Sequence, residues 1–376
     1  MKRDAINYVG RYILNNIGWH SNRKIIVIES DDWGSSVMPS LEIYEELLKN
    51  GIRVDQNPYT RFDSLASESD LQLLFELLSS FTDKKQNHPV ITANTIVANP
   101  DYSKIRDNKF QDYFYEPFNK TLLRYPEHRR AFSLMKEGME QKLFFPQFHG
   151  REHLNSKLWV DELRKSDDSY FRIAFNHGIH ILPKNNSLDK NKYINSAFYP
   201  NNKTEELEMF KSIEEGLSLF KELFGYSSKS FVATGYIWNR NIEKTLNDFG
   251  IEYIKGLPIQ REPQLGSGRL HKRIIYTGKR NNYKQVYLVR NIFFEPSIQP
   301  NKDWIGDCMR RVAEAFRFGK PAIISTHRIN YIGYINQTNR NKNLVLFAEL
   351  LSLLLKKWPE VEFMNAVDLG DLISNS

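Results

Sequence analysis

Residues 24–35 read KIIVIESDDWGS. The aliphatic run Ile25 to Ile28 has the pattern of a strand buried on both faces. It ends on two adjacent carboxylates, Asp31 and Asp32, which repel each other, and Gly34 then lets the backbone turn sharply. A solvated turn after a strand is the plain reading of such a stretch. A functional reading requires the rest of the chain to deliver a compensating charge to the same place.

Two further aliphatic runs end in ionisable residues: KLFFPQFHGREH (142–153), which brings His149 and His153, and KPAIISTH (320–327), which brings His327. Helix-patterned segments lie between strand-like ones. SLEIYEELLKNG (40–51) closes on Gly51, ESDLQLLFELLSSF (68–81) follows, and Pro126 opens a helix through EHRRAFSLMKEGMEQ. Asn155 is placed to cap NSKLWVDELRK, and Asn202, with Glu205 three positions on, opens a long helix that ends at Gly225. PVITANTIVAN (89–99), KSFVATGY (229–236) and IEYIKG (251–256) read as strands. RIIYTGKRNNYKQVYLVRN (273–291) has the pattern of a hairpin turning at RNN. Strands alternating with helices predict a parallel α/β sheet, open or closed into a barrel, with functional groups gathered at the strands' carboxyl ends.

The 376 residues suffice for one large domain. We read a single catalytic domain with a motif-bearing core over about 24–330. An N-terminal helix over 3–17 and a C-terminal helix and strand over 342–368 are expected to pack on it. The polar stretch 182–206 is a loop insertion. No apolar run reaches the ~18 residues of a membrane helix, and MKRDAINYVG has no apolar core of a secretory leader. The single cysteine, Cys308, fits a reducing compartment and excludes an internal disulfide; a cytoplasmic location is expected. The net charge of +7 is scattered over the chain, so nucleic acid is not expected as a partner. It leaves room for a mild preference for anionic glycans.

His149 and His153 are four apart, a spacing that in a helical turn puts both rings on one side. Gly150 stands where a metallopeptidase would need its glutamate base, so peptide hydrolysis is excluded. Two imidazoles and one carboxylate make the usual three-ligand catalytic metal set, with one position open to water. One of Asp31 and Asp32 can then bind the ion while the other serves as base. The residues alone leave open which does which.

IESDDWG, FHGREH and IISTH, in that order, resemble the metal-dependent polysaccharide deacetylases of the NodB type, carbohydrate esterase family 4, over roughly Lys24 to His327. The resemblance implies a distorted (β/α) barrel of about seven mostly parallel strands with loop and helical insertions. It implies one divalent ion, Zn²⁺ first, with Co²⁺, Ni²⁺ or Mn²⁺ as alternatives, held by Asp32, His149 and His153. Asp31 becomes the base and His327 the acid that protonates the leaving amine. The substrate implied is a carbohydrate that loses an N-acetyl or O-acetyl group. The family's arginine, which holds the catalytic aspartate, has no counterpart in FVATGYIWN (231–239), leaving Arg151 and Arg328 as candidates. Asp303, followed by Trp304, or Glu295 could orient the acid histidine. Trp33, Tyr236, Trp238 and Tyr331 lie near the motifs and are candidates to stack on sugar rings. His177 and His180 are read as loop histidines near the mouth of the site. Two rival readings are a glycoside hydrolase on a related barrel, which uses two carboxylates, and a glycan-binding protein that has lost catalysis.

Overall fold

The computed structural model describes residues 16–165, 170–180, 182 and 194–376. Most of the helix expected over 3–17, and residues 183–193 of the loop expected over 182–206, lie outside them. The strands in chain order are β1 (Ile25–Trp33), β2 (Ile91–Ile96), β3 (Ala98–Pro100), β4 (Tyr115–Pro117), β5 (Phe144–Gly150), β6 (Ser230–Val232) and β7 (Tyr253–Gly256). They continue with β8 (Ile259–Pro263), β9 (Leu270–Ile274), β10 (Val286–Val289), β11 (Ile292–Phe293), β12 (Ala322–His327) and β13 (Glu362–Met364).

One sheet organises the molecule, in the order β10-β7-β6-β5-β2-β1-β12-β11, with β13 added beside the start of β1. Every pairing in it is parallel. The aliphatic run of β1 is at the centre, and Ile25, Ile26, Val27 and Ile28 are at most 1% exposed, as the continuous apolar pattern predicts. Helices cover the sheet and start where the sequence signals a cap. Ser40 caps Leu41–Lys49, Ser67 and Asp70 form a capping box on Glu68–Ser79, and Asn155 caps Ser156–Leu163. Asn202 opens Lys203–Phe224, and Gly225, with φ of 80°, ends it in the left-handed conformation.

The curl of the sheet into a distorted barrel is visible at its two edges. β10 and β11 are the outermost strands, yet only Arg290 and Asn291 separate them in sequence. The Arg290 N–H donates to the Gly256 carbonyl on one edge, and the Asn291 N–H donates to the Ile323 carbonyl on the other. The chain therefore steps from one edge of the sheet to the other in two residues.

The hairpin expected over 273–291 is present at its tip, where Arg280 bridges Val286 antiparallel and the Tyr287 N–H donates to the Lys279 carbonyl at 2.8 Å, but its arms take other partners. Residues Leu270–Ile274 pair instead with Ile259–Pro263 in a separate antiparallel ribbon, while Val286–Val289 joins the main sheet alongside β7. VYLV is fully buried, and an apolar run of that kind gains more inside the barrel wall than on a two-stranded ribbon. The helix expected from Pro126 is also divided, into a 3₁₀ turn at Pro126–His128 and a helix at Ala131–Glu140. The buried His128 ring fixes the turn through Nε2 and the Leu65 carbonyl, 3.0 Å apart. Among the described residues no helix is long and apolar enough to cross a membrane.

Gly34 closes the first motif under tight constraint. Its φ is 83°, and a Cβ there would meet the Ile96 carbonyl oxygen at 2.1 Å. Gly34→Ala is expected to lose on the order of 2 kcal/mol or more, read as a lower thermal midpoint. An unchanged midpoint would mean that the turn relaxes at no cost.

Candidate active site

The two strands that carry the metal-ligand candidates each bulge where the candidates stand. Along β1 and β2, Ser30 pairs with Ala93 but Trp33 pairs with Thr95, so β1 holds an extra residue across Asp31 and Asp32. Along β2 and β5, Thr95 pairs with Phe148 but Ile96 pairs with Gly150, so His149 is the extra residue. Bulges re-aim side chains at the rims of barrels. Asp32 adopts φ of 73°, a left-handed conformation uncommon for a residue other than glycine. Its carboxylate is thereby sent to a different place from that of Asp31.

Asp32 meets the histidines. Its Oδ1 lies 3.3 Å from His149 Nε2 and 3.5 Å from His153 Nε2, and one ligand atom from each of the three residues falls within 4.8 Å of the others. The two rings belong to a strand end and the bend after it, not to the helical turn that their spacing suggests. Three features fit a divalent ion. His149 Nδ1 lies 2.7 Å from the Val232 carbonyl, an acceptor only, which puts the proton on Nδ1 and leaves the Nε2 lone pair facing Asp32. Burial holds the His153 imidazole below its usual pKa despite the Asp32 charge, which favours the form able to ligate. Two lone pairs and a carboxylate pointed at one another repel unless a cation lies between them.

Asp31 is held by an arginine. The Arg290 guanidinium, fully buried, grips both carboxylate oxygens, with NH1 2.6 Å from Oδ2 and NH2 2.7 Å from Oδ1. Its Nε donates to Glu29 at 2.8 Å. Asn94 Nδ2 donates to Asp31 Oδ1 at 2.7 Å, and the buried Lys255 ammonium bonds the same amide's oxygen. Burial would push the Asp31 carboxyl up, but the Arg290 charge and hydrogen bonds outweigh it and hold it well below the usual range. The Tyr236 hydroxyl accepts from Arg290 NH1 and lies 3.2 Å from Ser325 Oγ.

His327 faces these groups from the end of β12, paired with Asp31 in the strand register. Its Nδ1 is 2.6 Å from Glu295 Oε1, and Asn330 Nδ2 donates to the other glutamate oxygen at 2.9 Å. Burial opposes the charged imidazole, but the Glu295 carboxylate raises its pKa to about 10. Asp31, Asp32, His149, His153, Tyr236 and His327 all line one cavity of about 410 Å³, together with Tyr59, Asp63 and His180. His180 thus stands in the wall, and burial drives its pKa down to about 4. Among the described lining residues there is no lysine or arginine and there are three aspartates. The chain's net positive charge therefore gives no support to an anionic glycan.

Other candidates are placed elsewhere. Trp33 is buried in the core, edge-on to Phe144 at 4.9 Å, with its Nε1 donating to Ser30 Oγ. Trp238 is fully buried against Tyr287, and Tyr331 against Phe347. Asp303 caps the helix Trp304–Arg317, with Oδ1 accepting from the Gly306 N–H, and Glu295 is the residue that orients His327. Arg151 turns to a separate cleft, where it pairs with Glu152 and Glu215 and covers the Tyr115 ring at 4.4 Å. Arg328 is fully buried, with Nε 2.9 Å from Asp63 Oδ1. The arginine that holds Asp31 is neither of these two but Arg290. Its one sequence signal is an arginine ending the apolar run YLV.

The Asp63–Arg328 pair ties the segment before Ser64 to the residue after His327. Arg328→Ala, which strands a buried carboxylate, is expected to cost about 3–5 kcal/mol, read as a lower denaturation midpoint. A loss within experimental error would show that solvent reaches Asp63.

No curated protein matches the chain. A protein assigned as a polysaccharide deacetylase from Mycobacterium smegmatis is 10% identical with a TM-score of 0.46, covering 96% of this chain and 93% of that one. A protein assigned as a glycoside hydrolase/deacetylase from Parabacteroides distasonis is 10% identical with a TM-score of 0.49, covering 95% and 72%. A 4-alpha-glucanotransferase from Thermococcus litoralis is 10% identical with a TM-score of 0.43, covering 92% of this chain and 40% of that one. Polysaccharide deacetylases, the family that the motifs resemble, are thus among the matched structures. Residues 17–256 match the model of glycosyl hydrolase family 57. That match covers more than half of the sequence, and the chain belongs to this family.

Proposed function

We propose that this protein is a metal-dependent hydrolase that removes an acetyl group from a carbohydrate. The observation that carries the reading is the convergence of Asp32, His149 and His153 within 4.8 Å, beside a second aspartate locked by an arginine. A divalent ion bound there, Zn²⁺ by the donor set, would supply a Lewis acid and make water acidic enough to ionise near neutral pH.

The protein's own groups then have distinct tasks. Asp31 is fixed in its ionised form, and an ionised carboxylate offers about four lone-pair sites. Arg290 and Asn94 occupy three of them, so one remains to take the proton of an attacking water. The charge that keeps Asp31 ionised also weakens it as a base, so orientation matters more than basicity. His327 holds a proton at neutral pH through Glu295 and stands across the cavity wall to give it to the departing nitrogen or oxygen. The cavity volume suits one or two sugar rings, and the hydroxyls and amides of Ser35, Asn57, Thr60 and Asn195 in its wall suit a neutral polyol.

The family match favours a second reading, hydrolysis of a glycosidic bond. Asp63, whose carboxyl is raised to about 6 by burial against the pull of Arg328, is a cavity carboxyl able to hold a proton for that chemistry. That reading leaves the two histidines without a task. A third reading, a silent glycan-binding protein, drew its support from a missing arginine, and Arg290 removes that premise.

The test is product analysis on acetylated and unmodified oligosaccharides, with metal content measured in parallel. Acetate release that stops with a chelator and returns with Zn²⁺ is expected. His149→Ala and His153→Ala should each lose the ion and the activity. New reducing ends without acetate, untouched by the chelator, would install the glycosidase reading instead.

The pH profile probes the acid. His327 must be protonated to donate, so the rate should fall as pH rises through its pKa. Glu295→Gln removes the charge that raises that pKa, and the basic limb should move to lower pH by roughly 1–3 units. A basic limb that stays in place would detach His327 from it.

A further inference from the structure

We propose that the Tyr59 hydroxyl is a catalytic hydrogen-bond donor, which touches the substrate at the acyl oxygen where negative charge develops during attack. The proposal rests on the deacetylase reading and adds a group that neither the motifs nor the resemblance point to.

Tyr59 lies on the short helix Pro58–Phe62 and faces the cavity shared by Asp31, Asp32 and His327. Its ring stands edge-on to the His327 imidazole, with centroids 5.9 Å apart and planes at 85°. Four carboxylates bear on the phenol, those of Asp32, Glu295, Asp63 and Asp31, yet none of them accepts its proton. Among the described residues the hydroxyl makes no hydrogen bond, and it is not among the sealed polar atoms of the interior. A phenol in the cavity wall that feels four carboxylates and bonds to none of them is a donor held in reserve. Burial and the four negative charges keep it protonated, so it can give a hydrogen bond and cannot become an anion. An oxygen gaining negative charge in the cavity is the partner this donor stabilises most.

The backbone around it is built for position. The Asn57 side chain accepts from the Tyr59 N–H at 2.9 Å and starts the helix. The Asp63 N–H donates to the Tyr59 carbonyl at 2.9 Å and ends it. The Asp63 carbonyl accepts from the Met38 N–H at 3.0 Å, while its carboxylate grips Arg328. Arg328 directly follows His327, so one buried ion pair fixes the helix with the phenol relative to the strand end with the imidazole. Donors fixed before reaction need no reorganisation when charge appears.

Tyr59→Phe keeps the ring against His327 and removes only the O–H. Wild type and variant are compared for acetate release at equal bound metal, established by elemental analysis. We expect kcat to fall by about 10²–10³-fold with KM little changed, the size and pattern of a lost oxyanion donor. An unchanged kcat, or a rise in KM alone, would overturn the assignment. If the wild type releases no acetate from any acetylated sugar, the deacetylase reading itself fails. Tyr59 is then judged by titrating metal-loaded protein with acetohydroxamic acid. Affinity about tenfold or more weaker in Tyr59→Phe supports the donor, and equal affinity refutes it.

Discussion

The Arg290 guanidinium is the interaction on which the barrel and its site both depend. It sits where the chain steps from one edge of the curled sheet to the other. From there it reaches Glu29 and Asp31 on β1, Tyr236 after β6 and Ser325 on β12. Strands that are not neighbours in the sheet are thus joined through its interior by one planar group, and the bidentate grip on Asp31 sets that carboxylate's plane as well as its charge. Lys255 adds a second buried cation, 4.0 Å from Glu29 and bonded to Asn94. Its pKa falls to about 8 through burial. Two buried cations facing two buried anions make a nearly neutral set. Such sets are poor sources of net stability, because desolvation offsets their attraction, and they earn their place through geometry.

The metal-ligand cluster depends on that floor in a different way. Both strands that carry it bulge at the ligands, and Asp32 holds a left-handed backbone conformation. Strain of this kind persists only where the surroundings over-determine it. Here Gly34 turns the chain tightly under the Ile96 carbonyl, and the Asn99 amide clamps the same turn by donating to the Gly34 carbonyl and accepting from the Ser36 N–H. The turn after β1 is therefore fixed from β2 and from the chain that follows it. Asp32 and His149 are aimed by backbone, which brings their side chains together with His153.

What the sequence revealed and what it hid follow from how local each signal is. Three aliphatic runs ending in Asp31–Asp32, His149 and His327 announce strand ends at one rim, because strand and motif are the same dozen residues. Helix caps at Asn155 and Asn202 are legible for the same reason. Arg290 was not, because its importance comes from the edge-to-edge step of the chain, and the stretch before that step has the pattern of a hairpin; Glu295 stood beside Asp303 as a candidate to orient His327, and the structure selects it. Asp303 was drawn toward the acid histidine by the tryptophan beside it, while its side chain is spent on a helix start. Trp33 and Trp238 stand next to motif residues in sequence but point into the core, since alternate residues of an extended chain face opposite sides. Tyr59 and Asp63 belong to a short irregular segment with no period to betray its orientation.

Two adjacent aspartates at the end of a hydrophobic strand pose a problem of repulsion, and the structure solves it by separation and not by proximity to a single cation. Asp31 keeps the strand's direction, turns inward and meets Arg290 and Asn94. Asp32, one residue on, has φ of 73° and is carried to the other side of the bulge to meet His149 and His153. Each carboxylate thus has its own partners, one a permanent cation, the other a pair of imidazoles. That asymmetry is what allows the two residues to differ in role although they are chemically identical and adjacent. A carboxylate already saturated by a guanidinium is a poor metal ligand, because its charge is spent and its lone pairs are mostly used. A carboxylate facing two imidazole lone pairs is a poor proton store, because a metal ion would displace the proton. The two environments thus differ in the way the proposed roles require, Asp32 facing two imidazoles and Asp31 keeping one lone-pair site beside Arg290 and Asn94.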